Sequence, residues 1–251
     1  MSAITIGSTV FACVFGGALL GIFLRAVLPD HHLSSESRDV VRLGTGLLAT
    51  MAALVLSLLI ASAKGSYDTK NNELTQLAAN VVLLDRVLAH YGPEAKDPRD
   101  LLRRSVARAV EQVWPKDSSR PAELNPAATG AEDLYEKIQA LSSRNEAQGA
   151  LRAEALRIAV DLRRTRLLLF AQSGSSIPMP FLAILVFWIA VIFMSFGLFA
   201  PRNTTVVATL FVCALSVSGA IFLILELDRP FQGFMQVSSA PLRTALASLG
   251  Q

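Results

Sequence analysis

The sequence is short of what a soluble enzyme or a nucleic-acid binder needs. Only 17% of its 251 residues are charged, against about 25% in an ordinary soluble domain. A net charge of +3, spread along the chain, is too weak for binding nucleic acid. Two cysteines, Cys13 and Cys213, provide neither a disulfide framework nor a zinc spacing. Both lie in apolar stretches, where a thiol acts as a small packing residue. Three histidines make no ligand set: His31 and His32 form a loop pair without companions, and His90 stands alone near a helix end. The chain contains no glycine-rich phosphate loop, serine nucleophile elbow or HExxH pattern. These absences argue against an enzyme, a metal site and a bound cofactor.

The missing charge has been swept out of four stretches: residues 4–24, 43–63, 178–200 and 204–225 contain no Asp, Glu, Lys or Arg. A hydrocarbon core is crossed by about 20 apolar residues in a helix, so each stretch is long enough to span. The expectation is an all-α polytopic membrane protein with two hairpins flanking a helical middle. The first stretch lacks a basic leading segment and exceeds the usual length of a signal-peptide core, so it reads as a retained anchor. The expected domains are a hairpin over 1–63, a helical domain over 64–177, a second hairpin over 178–225 and a tail over 226–251.

Four spans put both termini and the long middle segment on one side. Lys64, Lys70, Arg157, Arg163, Arg164, Arg166, Arg229 and Arg243 lie on that side, against Arg25, Arg38, Arg42 and Arg202 on the other. Basic residues stay cytoplasmic, so both termini and the middle domain are expected inside an inner membrane.

The middle reads as helical throughout. Leu74, Leu77, Val81, Leu84, Leu88 and Tyr91 recur at three or four residues, a stripe on a helix running on from the second span to the breaker Gly92-Pro93. A second helix is expected from Asp97 as N-cap with Pro98 first inside it, carrying Leu102, Val106, Ala109 and Val113 to Trp114-Pro115. After a loop over 116–128, a capping box at Thr129 to Glu132 opens what should be the longest helix. Its stripe is Leu134, Ile138, Leu141, Ala155, Ile158, Leu162 and Leu169, with Asn145, Gln148 and Gly149 marking a kink or a break. The residues at 174–176 form a linker to the third span. Such stripes bury either in an intramolecular bundle or against another subunit.

In the second span Thr45, Ala49, Ala53, Ser57 and Ala61 recur every four residues, with Thr50 and Ser62 nearby. Small residues at this spacing allow close helix packing in lipid; a small, weakly polar face also suits the lining of an aqueous path. Gly17 and Gly21 form a GxxxG in the first span, a pattern common by chance. The third span, with Phe181, Phe187, Trp188, Phe193 and Phe196, reads as lipid-facing. No span has an ionisable residue at its middle, which argues against ion-coupled transport and tolerates a passive pore.

Chemistry-bearing residues cluster at the membrane edges. Arg163, Arg164 and Arg166 precede the third span, as lipid-headgroup anchors or as a basic entrance that concentrates anions. Glu226, Asp228 and Arg229 end the fourth span, followed by Pro230, Phe231 and Gly233. They read as an interfacial anchor and cap, or as a cation site or gate hinge. Two carboxylates are poor for calcium, which takes 6–8 oxygens.

The stretch Leu225-Glu-Leu-Asp-Arg-Pro-Phe-Gln-Gly-Phe-Met-Gln-Val-Ser-Ser-Ala-Pro-Leu-Arg243 resembles the signature of bacterial bestrophin-like proteins, and residues 50–68 are similar to that family's other well-marked segment. The resemblance covers nearly the whole chain. It implies kinship to oligomeric anion channels with four membrane helices per subunit, and makes the second span the pore-lining candidate. Two departures stand out: no acidic run follows Phe231, and the second span lacks the phenylalanines of the bestrophin neck. The expected function is therefore a homo-oligomeric anion channel, its partners the bilayer, further copies of itself and small anions. The alternative is a non-conducting scaffold or sensor acting through its cytoplasmic helices.

Overall fold

The computed structural model describes residues 2–29, 34–115, 131–171, 177–201, 203–231 and 233–250, and all regular elements among them are helical. The histidine pair, the 116–128 loop, Thr129, the 174–176 linker, Arg202 and Gln232 lie outside the described residues. The chain divides into two compact units, Met1–Ser66 with Ser175–Asp228, and Tyr67–Gly174 with Arg229–Gln251.

Four helices are long and apolar enough to cross a membrane: α1 (Ala3–Val27), α2 (Ser35–Tyr91), α6 (Met179–Phe199) and α7 (Thr204–Leu227). Between α2 and α6 lie a 3-10 turn over Pro93–Ala95, then α3 (Lys96–Val113), α4 (Ala131–Gln139) and α5 (Glu146–Ala171). A short α8 (Ala240–Ser248) follows α7. At 57 residues α2 is the longest helix, whereas the sequence pointed to the one after Thr129. That stretch is two helices, because Asn145 and Gln148 begin a new one. Asn145 Oδ1 accepts the Gln148 N–H at 2.8 Å, Gln148 Oε1 accepts the Arg144 N–H at 2.8 Å, and the Gln148 amide donates to Tyr91 O at 3.0 Å. The polar residues that break the apolar stripe are thus a helix cap.

Two other starts differ from expectation. Helix α3 begins at Lys96, so Asp97 lies in its first turn rather than at the cap, because the Pro93–Ala95 turn already bends the chain into helix. The C-terminal residues, read as a tail, form α8, which packs on α3 and buries Leu242 and Ala245.

In the membrane unit α1 lies along α6, with α7 as its second neighbour. The contact is backbone on backbone. A Cβ added at Gly17 would meet Ala190 O at 2.8 Å; one at Gly21 would strike Met194 O, and one at Gly197 would strike Ala18 O. The GxxxG is therefore a packing face, matched from the other side by Gly197. This corrects the reading of the third span as lipid-facing. Phe181, Phe187 and Phe196 are exposed, but Leu182, Leu185, Ile189, Ile192 and Phe193 are buried. The conspicuous aromatics masked the small residues that let α1 approach.

The second unit buries its own stripes. Leu74 to Tyr91 of α2, Leu102 and Val106 of α3, Leu134 and Ile138 of α4, and Ala155, Ile158, Leu162 and Leu169 of α5 share one core. Ala109 and Val113 of the α3 stripe are half-buried. Asp85, 2% exposed, sits at this core's edge. Arg99 grips it with two nitrogens at 2.7 and 3.0 Å, and the Gly250 N–H reaches it at 3.3 Å, fastening the C-terminus. Burial alone would push the Asp85 carboxyl up; the Arg99 and Gly250 hydrogen bonds, with the charges of Arg99 and Arg86, outweigh it and hold the carboxyl below its ordinary range. A lowered folded-state pKa stabilises above the unfolded value and is lost as pH falls below about 4. Asp85→Ala, which strands Arg99, should cost about 3 kcal/mol at neutral pH and flatten the acid limb of a thermal-stability profile. A profile identical to wild type would refute this.

Candidate functional site

The row Thr45, Ala49, Ala53, Ser57 and Ala61 does not stay on one line of α2. At 3.6 residues per turn, a step of four overshoots a full turn by about 40°, so the row winds about 160° around the helix from Thr45 to Ala61. Thr45 is half-buried, while Ala49, Ala53, Ser57 and Ala61 are exposed. Ala52, Leu59 and Ala63 supply the buried line that ties this part of α2 into the membrane unit's core. On the far side Gly46, Thr50, Ala53, Ser57 and Lys64 fall within an arc of about 60°, and all five are exposed. Gly46 and Lys64 were missed by counting fours; the helical period at 46, 50, 53, 57 and 64 finds them.

This face is uncharged from residue 43 to residue 63. Its hydroxyls are turned onto their own helix: Thr50 Oγ1 donates to Gly46 O at 3.0 Å, and Ser57 Oγ donates to Ala53 O at 2.8 Å. Thr45 Oγ1 likewise donates to Val41 O at 2.8 Å. Such a wall is wettable yet offers no fixed charge and no spare donor to hold an ion. Charge stands only beyond its end, where Lys64 is exposed.

The three arginines before the third span have different surroundings. Arg163 pairs with Glu132 at 3.0 Å, Arg164 is exposed, and Arg166 is half-buried, its guanidinium pKa pushed down by burial. Arg157, nearly two turns earlier, is held by Glu154 and Asp161.

The C-terminal motif is structural in detail. Asp228 caps α7 and, with Glu226, is buried; Pro230 is also buried and ends the helix. Phe231 enters the core of the second unit and meets Trp114 edge to face, ring centres 6.4 Å apart. The Trp114 indole N–H donates to Val237 O at 3.0 Å, and the Val237 N–H donates to Pro230 O at 2.8 Å, closing a loop. Gly233 turns that loop with φ +89°, a conformation that favours glycine. Arg229 is half-buried. Among the described residues no group of three or more His, Cys, Asp or Glu could hold a metal ion. Buried Lys70 and Asp85, each 2% exposed, were not singled out by sequence. Lys70 sits among polar neighbours, and Asp85 falls beside the apolar stripe, four residues after Val81 and three before Leu88, where a charged letter does not suggest burial.

The bestrophin-like domain model matches residues 12–242. A crystal structure of a bacterial bestrophin homolog from Klebsiella pneumoniae, carrying one substitution, aligns over 95% of this chain and 99% of its own, with TM-score 0.65 and 13% identity. A second variant from the same organism aligns over 94% and 97%, with TM-score 0.63 and 14% identity. A crystallised membrane protein aligns over 97% and 100%, with TM-score 0.66 and 14% identity. A comparison with curated proteins gives no significant match. At such identity the solved structures speak for the fold alone; the domain match covers most of the sequence. This four-span, all-helical chain belongs to the bestrophin-like family.

Proposed function

We propose that the protein is a homo-oligomeric anion-conducting pore of the inner membrane, with the exposed face of α2 as its wall. One observation carries the reading: α2 is tied to its own subunit by a narrow line at Ala52, Leu59 and Ala63, while the small, weakly polar face at Gly46, Thr50, Ala53 and Ser57 is left uncovered. Placed around an axis, copies of that face enclose a path that an ion crosses without being trapped, as conduction requires. Lys64 supplies positive charge at one end of that face, and Arg164 and Arg166, ahead of the third span, are the basic entrance of this reading. In this reading residues 64–177 and both termini are cytoplasmic, the family motif from Glu226 to Gly233 is a structural joint, and the role is conductive rather than catalytic. The scaffold alternative has less support, because the helical stripes that seemed to need a partner are buried within their own unit.

The test is halide flux into liposomes holding the purified, size-checked oligomer. Halide entry well above that of empty liposomes, and faster than sodium entry, is expected. Sodium entering faster than halide would reverse the proposed selectivity; no flux across pH and calcium conditions would favour the scaffold.

A further inference from the structure

A second feature of the membrane unit is independent of conduction. A cavity of about 480 Å³ opens between the first turns of α2, the end of α6 and the start of α7. Its size falls in the range of ligand sites, about 300–1,000 Å³. Phe196, Phe199, Val206 and Leu210 supply apolar walls, Ser195 and Thr209 add hydroxyls, and Arg38 and Arg42 stand together at the α2 side. The Arg38 guanidinium lies over the Phe199 ring, 5.6 Å from its centre. That stacking orients the charge without neutralising it.

Among the described residues neither arginine forms a salt bridge with a carboxylate. Glu36 and Asp39 share the helix with Arg38 but lie about 160° and 100° away around it, and Asp39, three residues before Arg42 and about 60° from it, forms no salt bridge with it. Helix α7 begins beside the cavity, with Asn203 capping the Val206 N–H at 2.9 Å. Its positive end adds to the two guanidiniums. Two cations without a salt bridge among the described residues, above an apolar trough and on helices of membrane-spanning length, complement one kind of molecule: a chain with an anionic head.

We propose that this cavity is a binding site for an anionic phospholipid, with its phosphate on Arg38 and Arg42 and an acyl chain along Phe196, Val206 and Leu210. The arginine fork matches phosphate geometry. Thr209 Oγ1 donates to Thr205 O at 2.9 Å, and Ser195 is buried. A zwitterionic lipid offers the same chain but carries its own cation beside the phosphate, so it gains less from the pair.

The full-length oligomer, stripped of lipid in detergent, is titrated with phosphatidylglycerol or phosphatidylcholine of identical chains and read by native mass spectrometry. The expected result is saturable retention of phosphatidylglycerol at one per chain, favoured over phosphatidylcholine by about tenfold or more, the scale of one charge-assisted contact. The preference should vanish in the double variant Arg38→Gln, Arg42→Gln. It should persist in Arg164→Gln, a basic residue outside the cavity. Thr209→Trp, which fills the trough and keeps both arginines, should lower retention of both lipids. Equal retention of the two lipids by the wild type overturns the proposal without recourse to any variant. So does displacement by inorganic phosphate alone, which would make the site one for small anions. Loss of the oligomer in the arginine variants, with no lipid preference in the wild type, would instead assign the cavity to a second copy of the chain.

Discussion

Gly197→Leu is expected to keep the membrane unit from assembling: the purified protein should lose its oligomer peak in detergent and unfold well below the wild type. The cause lies in what the new side chain meets. A Cβ at Gly197 runs into Ala18 O and stands 3.0 Å from Ile22 N, both backbone atoms of α1. A side chain in the way could turn aside, but a helix backbone has to move as a whole. In lipid there is no hydrophobic force to compensate, because the tails are as apolar as the helices; close contact is what holds α1 to α6. Overpacking costs about 1–3 kcal/mol where neighbours can adjust, and a leucine here belongs at or above the top of that range. Gly21→Leu should behave alike, since its Cβ strikes Met194 O and lies 2.9 Å from Leu198 N. Gly16→Leu is the control, with nothing within 4 Å of its Cβ. Equal behaviour of Gly16→Leu and Gly197→Leu would refute the close-packed crossing.

Ser57→Phe is expected to reduce halide flux by about tenfold or more while the oligomer stays intact, since a bulky ring on a narrow wall closes the path. The position faces away from the buried line at Ala52, Leu59 and Ala63, so the ring meets no neighbour within its own chain. Ala53→Trp should act similarly. Leu58→Phe supplies the contrast: it is the next residue, 65% exposed, yet about 100° around the helix. If Leu58→Phe blocked and Ser57→Phe did not, the wall would lie on another face of α2.

Much of this architecture was legible in the sequence because lipid makes coarse demands. Excluding charge from 20 residues is a strong constraint, so three of the spans appear within three residues of their helices, and the second lies inside α2, which starts eight residues earlier. The stripes of the second unit were readable for the same kind of reason: Leu74 to Tyr91 and Leu134 to Leu169 follow the helical period over many turns. What escaped notice depends on contacts between distant residues. Gly17 and Gly21 are unremarkable until Gly197 is known to face them, and the aromatics around Gly197 pointed to lipid instead. Asn145 and Gln148 looked like an interruption because a cap and a kink share the same letters. Asp85 falls beside the stripe at Val81 and Leu88, but what lets a carboxylate be buried there is Arg99 and Gly250, both distant in sequence. On α2 the small residues were visible but were counted at the wrong period; Gly46 and Lys64 join Thr50, Ala53 and Ser57 only when the turn is taken as 3.6 residues. The stretch from Glu226 to Gly233 stood out as a pattern, but the contacts that hold Phe231 and Val237 come from Trp114, more than a hundred residues earlier.

The central claim is that one face of α2 meets water in the assembled protein. The direct measurement is thiol labelling in liposomes with a charged, membrane-impermeant reagent, which is attacked by the thiolate and so needs an aqueous approach. Cys13 and Cys213, both exposed on the membrane helices, are first replaced by serine. In that background Ser57→Cys and Thr50→Cys should react, and halide flux should fall as they do. Leu58→Cys should stay unlabelled in lipid. Labelling of Leu58→Cys with protection of Ser57→Cys and Thr50→Cys, while flux continues, would contradict the account.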